Sequence, residues 1–198
     1  MTRTLLLALG TVLALTSCRA TGRIKAETEG DIVGTRTAGA ATYNQIIEEG
    51  VQKLLASHSA QAQGTERLTL AVMGIDNRGS EELGDWAGQL YEEIATSINA
   101  SGRYRTVSQR MIDRALQVTN QRQEDLLLPA GRRKFISILE AESNPVQLLL
   151  FPKITTGTTD AGRKSQRDYL LTLELIDVTT GWDDRFSSKV RKEYREGR

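Results

Sequence analysis

The sequence predicts an α/β fold in which helices pack on a largely antiparallel sheet. Four segments between residues 40 and 141 carry apolar residues at helical spacing. Short apolar runs typical of strands lie between the first and second of these segments and between the second and third. Three strand-like runs then follow one another after residue 145. Because helical and extended segments alternate first and strands come in succession afterwards, we expect one globular domain over residues 40–198.

The first predicted helix covers residues 40–57. Its apolar face consists of Tyr43, Ile46, Ile47, Val51, Leu54 and Leu55. A polar segment then leads to the apolar run at residues 68–75, which is too short for a domain helix and is predicted to be a buried strand.

A second helix is expected after the break at residues 76–80. Ser80 is predicted to cap it, and Glu81 and Glu82 to place negative charge in its first turn. The residues it should bury are Leu83, Trp86, Ala87, Leu90, Tyr91, Ile94 and Ile98. A short strand at residues 104–107 follows, and Ser108 is predicted to cap a third helix that buries Met111, Ile112, Ala115 and Leu116.

The remaining predicted elements are a fourth helix and a meander of strands. The helix covers residues 131–141, with Phe135, Ile136, Ile138 and Leu139 inward, and Asn144-Pro145 stops it. The strands cover residues 146–155, 169–178 and 183–194, and a turn at Thr179-Thr180-Gly181 joins the last two. The polar residues 156–168 are predicted to form a mobile loop.

Charge argues against nucleic acid as a partner. The chain has 26 basic and 25 acidic residues, and removal of residues 1–17 would take away Arg3 alone among them. Nucleic-acid binding normally needs a clustered cationic face. The two basic clusters, Arg132-Arg133-Lys134 and residues 189–195, are interpreted as solvated surfaces of their elements.

The sequence offers little for catalysis, and we expect neither an enzyme nor a cofactor. His58 is the one histidine, so no zinc-binding spacing exists, and it is expected to be solvated at a helix end. The carboxylates that occur in pairs are adjacent in sequence, and neighbouring side chains point in different directions; the pairs are Glu81-Glu82, Glu92-Glu93 and Asp183-Asp184. No glycine pattern typical of phosphate binding is present.

The N-terminus predicts export and lipidation. Arg3 precedes the uncharged run of residues 5–15, which has the size of a signal-peptide core and is too short to span a membrane. The string Leu15-Thr16-Ser17-Cys18 resembles the bacterial lipobox, in which cleavage falls between Ser17 and Cys18 and the cysteine receives lipid. We therefore expect a signal peptide at residues 1–17 and a lipidated Cys18 followed by a flexible tether over residues 18–39, with attachment by two or three acyl chains.

Residue 19 bears on the membrane to which the protein would be sorted. Lipoproteins of the enteric type that stay at the inner membrane usually carry aspartate directly after the lipidated cysteine, whereas this chain has Arg19. The predicted location is the periplasmic face of the outer membrane.

Three strings behind the lipobox resemble the LpoB family of outer-membrane lipoproteins and, more distantly, the TolB N-domain and CsgG-like folds. They are LAVMGIDNR at residues 70–78, SGRYRTVS at 101–108 and YLLTLELIDVTTG at 169–181. The resemblance implies an LpoB-like α/β sandwich and a non-enzymatic activator that docks on a class A penicillin-binding protein and stimulates peptidoglycan synthesis. Enteric members carry a long proline-rich tether, whereas this chain has no proline before Pro129.

Two alternatives share the lipid anchor. One is a secretion-pore component of the CsgG type, which would need membrane-inserting hairpins with an apolar lipid-facing row. The other is a structural or adaptor lipoprotein that binds another envelope partner, such as peptidoglycan itself. The sequence leaves the docking surface unknown: Trp182, Tyr194 and the Arg132-Arg133-Lys134 corner could each form a contact or cover the core, while core packing is favoured for Trp86 and Tyr91.

Overall fold

A computed structural model describes residues 37–59, 66–142, 145–162 and 164–195. Its helices are α1 (Ala40–Ser59), α2 (Trp86–Ala100), α3 (Gln109–Thr119) and α4 (Pro129–Ala141), and a 3-10 helix at Gln123–Leu127 precedes α4. Its strands are β1 (Leu68–Val72), β2 (Asp76–Asn77), β3 (Tyr104–Thr106), β4 (Leu148–Ala161), β5 (Lys164–Asp177) and β6 (Asp183–Arg195). Within these ranges no helix is both long and apolar enough to span a bilayer.

The strands form one sheet in the order β3-β1-β4-β5-β6, with β2 pairing beside β4. Strands β3, β1 and β4 run parallel to one another, and β4, β5 and β6 form an antiparallel meander. The antiparallel ladders are much the longer, so the predicted α/β fold with helices on a largely antiparallel sheet is confirmed.

Both faces of the sheet are covered near β1 and β4. Leu70 and Val72 of β1 belong to an apolar cluster with α1 and α2, whereas Ala71 and Met73 belong to a second cluster with α3 and α4. This alternation follows from the two-residue period of a strand. Strand β5 contributes Leu171, Leu173 and Leu175 to the first cluster, as its sequence pattern predicts. The parallel half is therefore a three-layer structure.

The predicted start of the second helix is wrong. Helix α2 begins at Trp86, and its N-cap residue Asp85 makes no side-chain cap. Ser80 bonds Thr156 instead: its amide donates to the Thr156 hydroxyl at 2.8 Å, and the two hydroxyls lie 3.1 Å apart. A left-handed residue at Gly84, with φ of 50°, then separates this segment from the helix.

Other predicted boundaries and caps differ from the structure as well. Strand β1 stops at Val72, three residues before the predicted end, and Asp76–Asn77 pairs separately with β4. Ser108 precedes α3 as predicted, but its side chain makes no capping hydrogen bond. Helix α4 begins at Pro129, because proline at the first helical position lacks only an amide hydrogen that would have no partner there.

The loop predicted at residues 156–168 is wrong as well. Strand β4 continues to Ala161 and β5 starts at Lys164, so these residues extend the β4–β5 hairpin. Strand β6 pairs with β5 as far as Arg195. The segment carries mostly polar residues, and a polar strand resembles a loop in sequence when its pairing partner is unknown.

Candidate functional site

Two polar regions stand out in the described part of the chain, and the first surrounds Glu81. Its carboxylate pairs with the guanidinium of Arg167 and accepts a hydrogen bond from the Tyr169 hydroxyl at 2.7 Å. Its second oxygen accepts the amide hydrogen of Ala38 at 3.0 Å. The side chains of Glu81 and Arg167 are only 11% and 22% exposed. Glu81 thus joins the start of the domain, the segment before α2 and strand β5.

The electrostatics of this region favour fixed protonation states. Burial, and then hydrogen bonding with Tyr194 and Glu81, raises the pKa of the Tyr169 hydroxyl well above its ordinary value. Burial works against the charge on Arg167, but its hydrogen bonds with Glu81 and Tyr169 outweigh burial and raise its pKa. Tyr169 therefore stays neutral and Arg167 charged at physiological pH. This is the arrangement of a structural ion pair, because neither group can exchange a proton readily near neutral pH.

Next to this region, Asp168 lies on the opposite face of β5. Arg191 of β6 contacts one carboxylate oxygen at 2.7 Å, and Lys189 contacts the other at 2.6 Å. These hydrogen bonds, the one from Arg191 first, hold the pKa of Asp168 well below its usual range. The contacts cross between strands and stabilise the register of the exposed hairpin.

The second polar region is a cleft of about 750 Å³ between α4 and the β5–β6 turn. One wall is a single face of α4, because its residues recur every three or four positions: Pro129, Arg132, Arg133, Ile136, Ser137 and Glu140. The other wall is the turn Val178–Gly181. We call this space the α4 cleft.

Both walls of the α4 cleft are held by local structure. In the turn, Asp177 accepts the amide hydrogens of Thr179 and Thr180 at 2.8 and 2.7 Å, and Gly181 takes the left-handed conformation with φ of 77°. In the helix, Gly131 lies against the 3-10 helix so closely that a Cβ there would be 2.0 Å from the Asp125 carbonyl oxygen. Hydrogen bonds within the turn and close packing of α4 on the 3-10 helix thus support the two walls.

The interpretation of Arg132-Arg133-Lys134 as a solvated surface is wrong for Arg132. The residue is only 8% exposed, and its side chain makes no ion pair or hydrogen bond with any described residue. Arg133 and Lys134 are exposed, as predicted. The sequence did carry a signal for Arg132, because it lies three, four and seven residues before the buried Phe135, Ile136 and Leu139, on the same helical stripe.

Exposed apolar side chains flank the α4 cleft at both walls. Trp182 directly follows Gly181 and is 81% exposed, and Leu128 directly precedes Pro129 and is also exposed. Tyr194, by contrast, is partly buried, and its hydroxyl lies 3.4 Å from that of Tyr169. Tyr91 is buried and Trp86 partly buried in the core, as expected. Of the aromatic residues considered for docking, Trp182 is the one whose surface is mostly exposed.

The predicted lipidation and cleavage residues, Cys18 and Ser17, lie outside the described residues, as do the predicted signal peptide and most of the tether. The His58 side chain also lies outside the part that can be described. Within the described ranges, no group of three or more His, Cys, Asp or Glu side chains is arranged to hold a metal ion.

Sequence reasoning missed Glu81 and Arg167 as partners. A signal existed for Arg167, since the alternation through Tyr169, Leu171 and Leu173 extends back to it and places it on the same face of β5.

Comparison with known proteins gives one family. The family described as peptidoglycan-synthase activator LpoB matches residues 41–185. No curated relative matches the sequence. Among solved structures, the LpoB C-terminal domain from Salmonella enterica is similar with 21% identity, 74% of this chain and 97% of that chain covered, and a TM-score of 0.48. The corresponding Escherichia coli domain has 20% identity, the same coverage and a TM-score of 0.49. Lipoprotein GNA1162 from Neisseria meningitidis has 16% identity, 64% and 83% coverage, and a TM-score of 0.45.

Proposed function

We propose that the chain binds a class A penicillin-binding protein and stimulates peptidoglycan synthesis, because it belongs to the LpoB family of peptidoglycan-synthase activators. The observation that carries this proposal is the family match over residues 41–185, well over half of the 198 residues. The match begins at the second residue of α1 and ends within β6, so it includes Glu81, Arg167 and Tyr169 as well as the α4 cleft.

The activator would act by binding rather than by chemistry. The ionisable groups around Glu81 are paired with one another, and the described residues hold no metal-binding cluster. A protein that binds an active conformation of a synthase more tightly than an inactive one shifts the population toward the active state by the difference in affinity. Stimulation through such a shift needs a docking surface and no catalytic residue.

The protein would reach its partner from a lipid anchor at Cys18 on the periplasmic face of the outer membrane. This location rests on the lipobox and on Arg19. The bond from the Ala38 amide to Glu81, and the Lys192 ammonium group 3.2 Å from the Thr37 carbonyl oxygen, fix residues 37 and 38 to the domain. The free tether would then comprise residues 18–36 and could span at most about 65 Å when fully extended.

The test of activation is a glycan-polymerisation assay with a purified class A penicillin-binding protein from the same organism. The lipid-free mature chain, residues 19–198, should raise the rate of polymerisation several-fold in a saturable manner. A heat-denatured sample of the same chain serves as control. Unchanged rates at concentrations that saturate any measured binding would contradict the proposal.

The anchor has a separate test. Cells that express the wild-type chain should incorporate labelled palmitate into it, and the protein should sediment with the outer membrane. The Cys18→Ser variant should incorporate none and keep its leader, because the lipidated cysteine is the cleavage site. Labelling of the Cys18→Ser variant would exclude this residue as the attachment point.

The alternatives give different results in the same assays. A structural or adaptor lipoprotein would be lipidated but would leave the polymerisation rate unchanged. A secretion component would need apolar, lipid-facing rows, whereas the hairpin at residues 156–168 carries mostly polar residues. Conductance across a planar bilayer would support that alternative, and its absence together with stimulation of the synthase would favour the activator.

A further inference from the structure

We propose that the α4 cleft binds an acidic peptide segment, with an aspartate or glutamate carboxylate of that segment paired to Arg132. The assignment of this segment to the synthase rests on the proposed function. The identification of the cleft as a carboxylate site rests on the geometry of this chain alone.

The guanidinium of Arg132 is buried and has no partner among the described residues. A guanidinium carries five hydrogen-bond donors and a permanent charge, and burying such a group is costly unless it is paired. Arg132 is 8% exposed and has neither an ion pair nor a side-chain hydrogen bond within the described residues. It lines an open cleft, and its Nη2 atom would lie 3.2 Å from a Cβ built on Gly181 in the opposite wall. The guanidinium thus lies against both walls and has no ion pair with any described residue.

The other groups in the cleft support an anion at this position. Arg133 adds a second cation, and Thr179 and Thr180 line the facing wall. Glu140 is the one acidic residue of the lining, and it lies eight residues after Arg132, about 12 Å along the helix axis. It makes no ion pair with Arg132. A planar carboxylate fits a guanidinium through two parallel hydrogen bonds, which makes it the matching ligand.

The surroundings point to a peptide rather than a small free anion. Ile136 and Val178 place apolar surface inside the cleft, and Leu128 and Trp182 extend it on either side. Tryptophan and arginine are among the residue types enriched at the energetic centres of protein–protein contacts. A volume of about 750 Å³ accommodates a few side chains. The matching ligand is a carboxylate with apolar neighbours in the same segment.

The first experiment measures this recognition directly. The lipid-free mature chain is titrated with acetyl-Leu-Glu-Leu-amide, with acetyl-Leu-Gln-Leu-amide and with inorganic phosphate, and two NMR signals are followed, the Arg132 Nε–H and the Trp182 indole N–H. We expect the glutamate peptide to shift both signals in a saturable manner, and the glutamine peptide to bind at least tenfold more weakly. Equal binding of the two peptides, or shifts by phosphate as large as those by the glutamate peptide, would overturn the proposal.

The variants separate charge from structure. Arg132→Met should weaken binding of the glutamate peptide at least tenfold, and Arg132→Lys should recover only part of the loss, because lysine keeps the charge without the planar fork. Arg110→Met removes one exposed charge from α3 and should bind like the wild type. Undiminished binding by a folded Arg132→Met variant would overturn the proposal.

The second experiment measures the affinity of the same variants for the synthase. We expect the dissociation constant to rise at least tenfold for Arg132→Met and to stay unchanged for Arg110→Met. If all variants bind and activate equally, the proposed function stands and the cleft assignment fails. If the wild type binds the glutamate peptide but not the synthase, the cleft chemistry is supported and the proposed function is contradicted.

Discussion

Arg167 and Arg132 lie in two regions of the molecule that differ in whether the guanidinium has an ion-pair partner. Arg167 of β5 is 22% exposed at its side chain and is paired with Glu81, which also binds Tyr169 and the Ala38 amide. Arg132 of α4 is 8% exposed and has no partner among the described residues. The guanidinium of Arg167 is bonded within the domain, whereas the hydrogen-bond donors of Arg132 are available to a binding partner.

The difference shows how to separate groups that stabilise a fold from groups that bind a partner. Removing one member of a buried pair leaves the other unpaired, which costs stability. Removing a buried charge that has no partner leaves no other group unpaired. The free energy of unfolding should therefore change little or rise, while a ligand that pairs with that charge loses its contact. The same substitution should therefore have opposite effects in the two regions.

The largest effect is expected where a substitution disturbs the backbone that positions Arg132. In Gly131→Ala the new Cβ would meet the Asp125 carbonyl oxygen at 2.0 Å, so α4 and the 3-10 helix must separate. We expect a loss of about 3 kcal/mol or more in the free energy of unfolding, measured by urea denaturation. Gly88→Ala in α2 is the control: nothing lies within 4 Å of its Cβ, and it should stabilise by roughly 0.5–1 kcal/mol. Equal free energies of unfolding for the two variants would contradict the close approach at Gly131.

Arg167→Met tests the paired side of the comparison. It leaves the carboxylate of Glu81 buried with two hydrogen bonds and no counter-charge, which should cost about 2–3 kcal/mol. The matched control is Arg185→Met, which breaks the exposed pairs with Glu174 and Asp183 and should cost less than about 1 kcal/mol. If both variants unfold at the same urea concentration, the ion pair with Glu81 does not contribute as a buried pair.

Tyr169→Phe removes one hydrogen bond to Glu81 and keeps the aromatic packing against Tyr43. We expect a loss of about 1–2 kcal/mol. Tyr91→Phe is the control, because the Tyr91 hydroxyl has no hydrogen bond with a described residue, and it should change the free energy of unfolding by less than about 0.5 kcal/mol.

Tyr169→Phe should also change how stability depends on pH in alkaline solution. The pKa of Tyr169 is raised in the folded state, by burial first, so the folded protein holds that proton more tightly than the unfolded chain does. The stability from this difference is complete below the unfolded tyrosine pKa of about 10 and is lost as the pH rises toward the folded value. Wild type should thus lose more stability than Tyr169→Phe between pH 10 and 12. Parallel pH profiles of the two proteins would contradict the raised pKa.

The smallest effect on stability is expected for Arg132→Met. Because the side chain has no partner to leave behind, its replacement by an apolar chain of similar length should leave the thermal midpoint unchanged or raise it by up to about 2–4 °C, the equivalent of roughly 1 kcal/mol. Differential scanning calorimetry measures this shift. A clear fall in the midpoint would show that Arg132 stabilises the fold, and the contrast with Arg167 would disappear.

Elements with strong local periodicity could be predicted from the sequence. The stripe of α1, the alternation of β5 and the turn at Thr179-Thr180-Gly181 each depend on neighbours along the chain, and each is present in the structure. The order of these elements was enough to predict the α/β class, because alternating helices and strands followed by a meander have few ways to cover one sheet.

Features that depend on distant partners could not be predicted in the same way. By local rules, Ser80 with Glu81 and Glu82 is a typical helix start. In the structure, however, the Ser80 hydroxyl is hydrogen-bonded to Thr156, and Glu81 forms an ion pair with Arg167. The strand at residues 156–161 is stabilised by pairing with β5, which no local pattern reveals in a polar segment. The helical stripe would have placed Arg132 inward, but its lack of a partner becomes visible only when the opposite wall of the cleft is known.

The most direct test of this account is the stimulation of peptidoglycan polymerisation by Arg132→Met, measured beside wild type and Arg110→Met at concentrations that saturate the wild-type effect. We expect Arg110→Met to stimulate fully, and Arg132→Met to lose most of the stimulation while its thermal midpoint is equal to or above that of the wild type. Full stimulation by a folded Arg132→Met protein would contradict the assignment of the α4 cleft, and no stimulation by the wild-type chain would contradict the function itself.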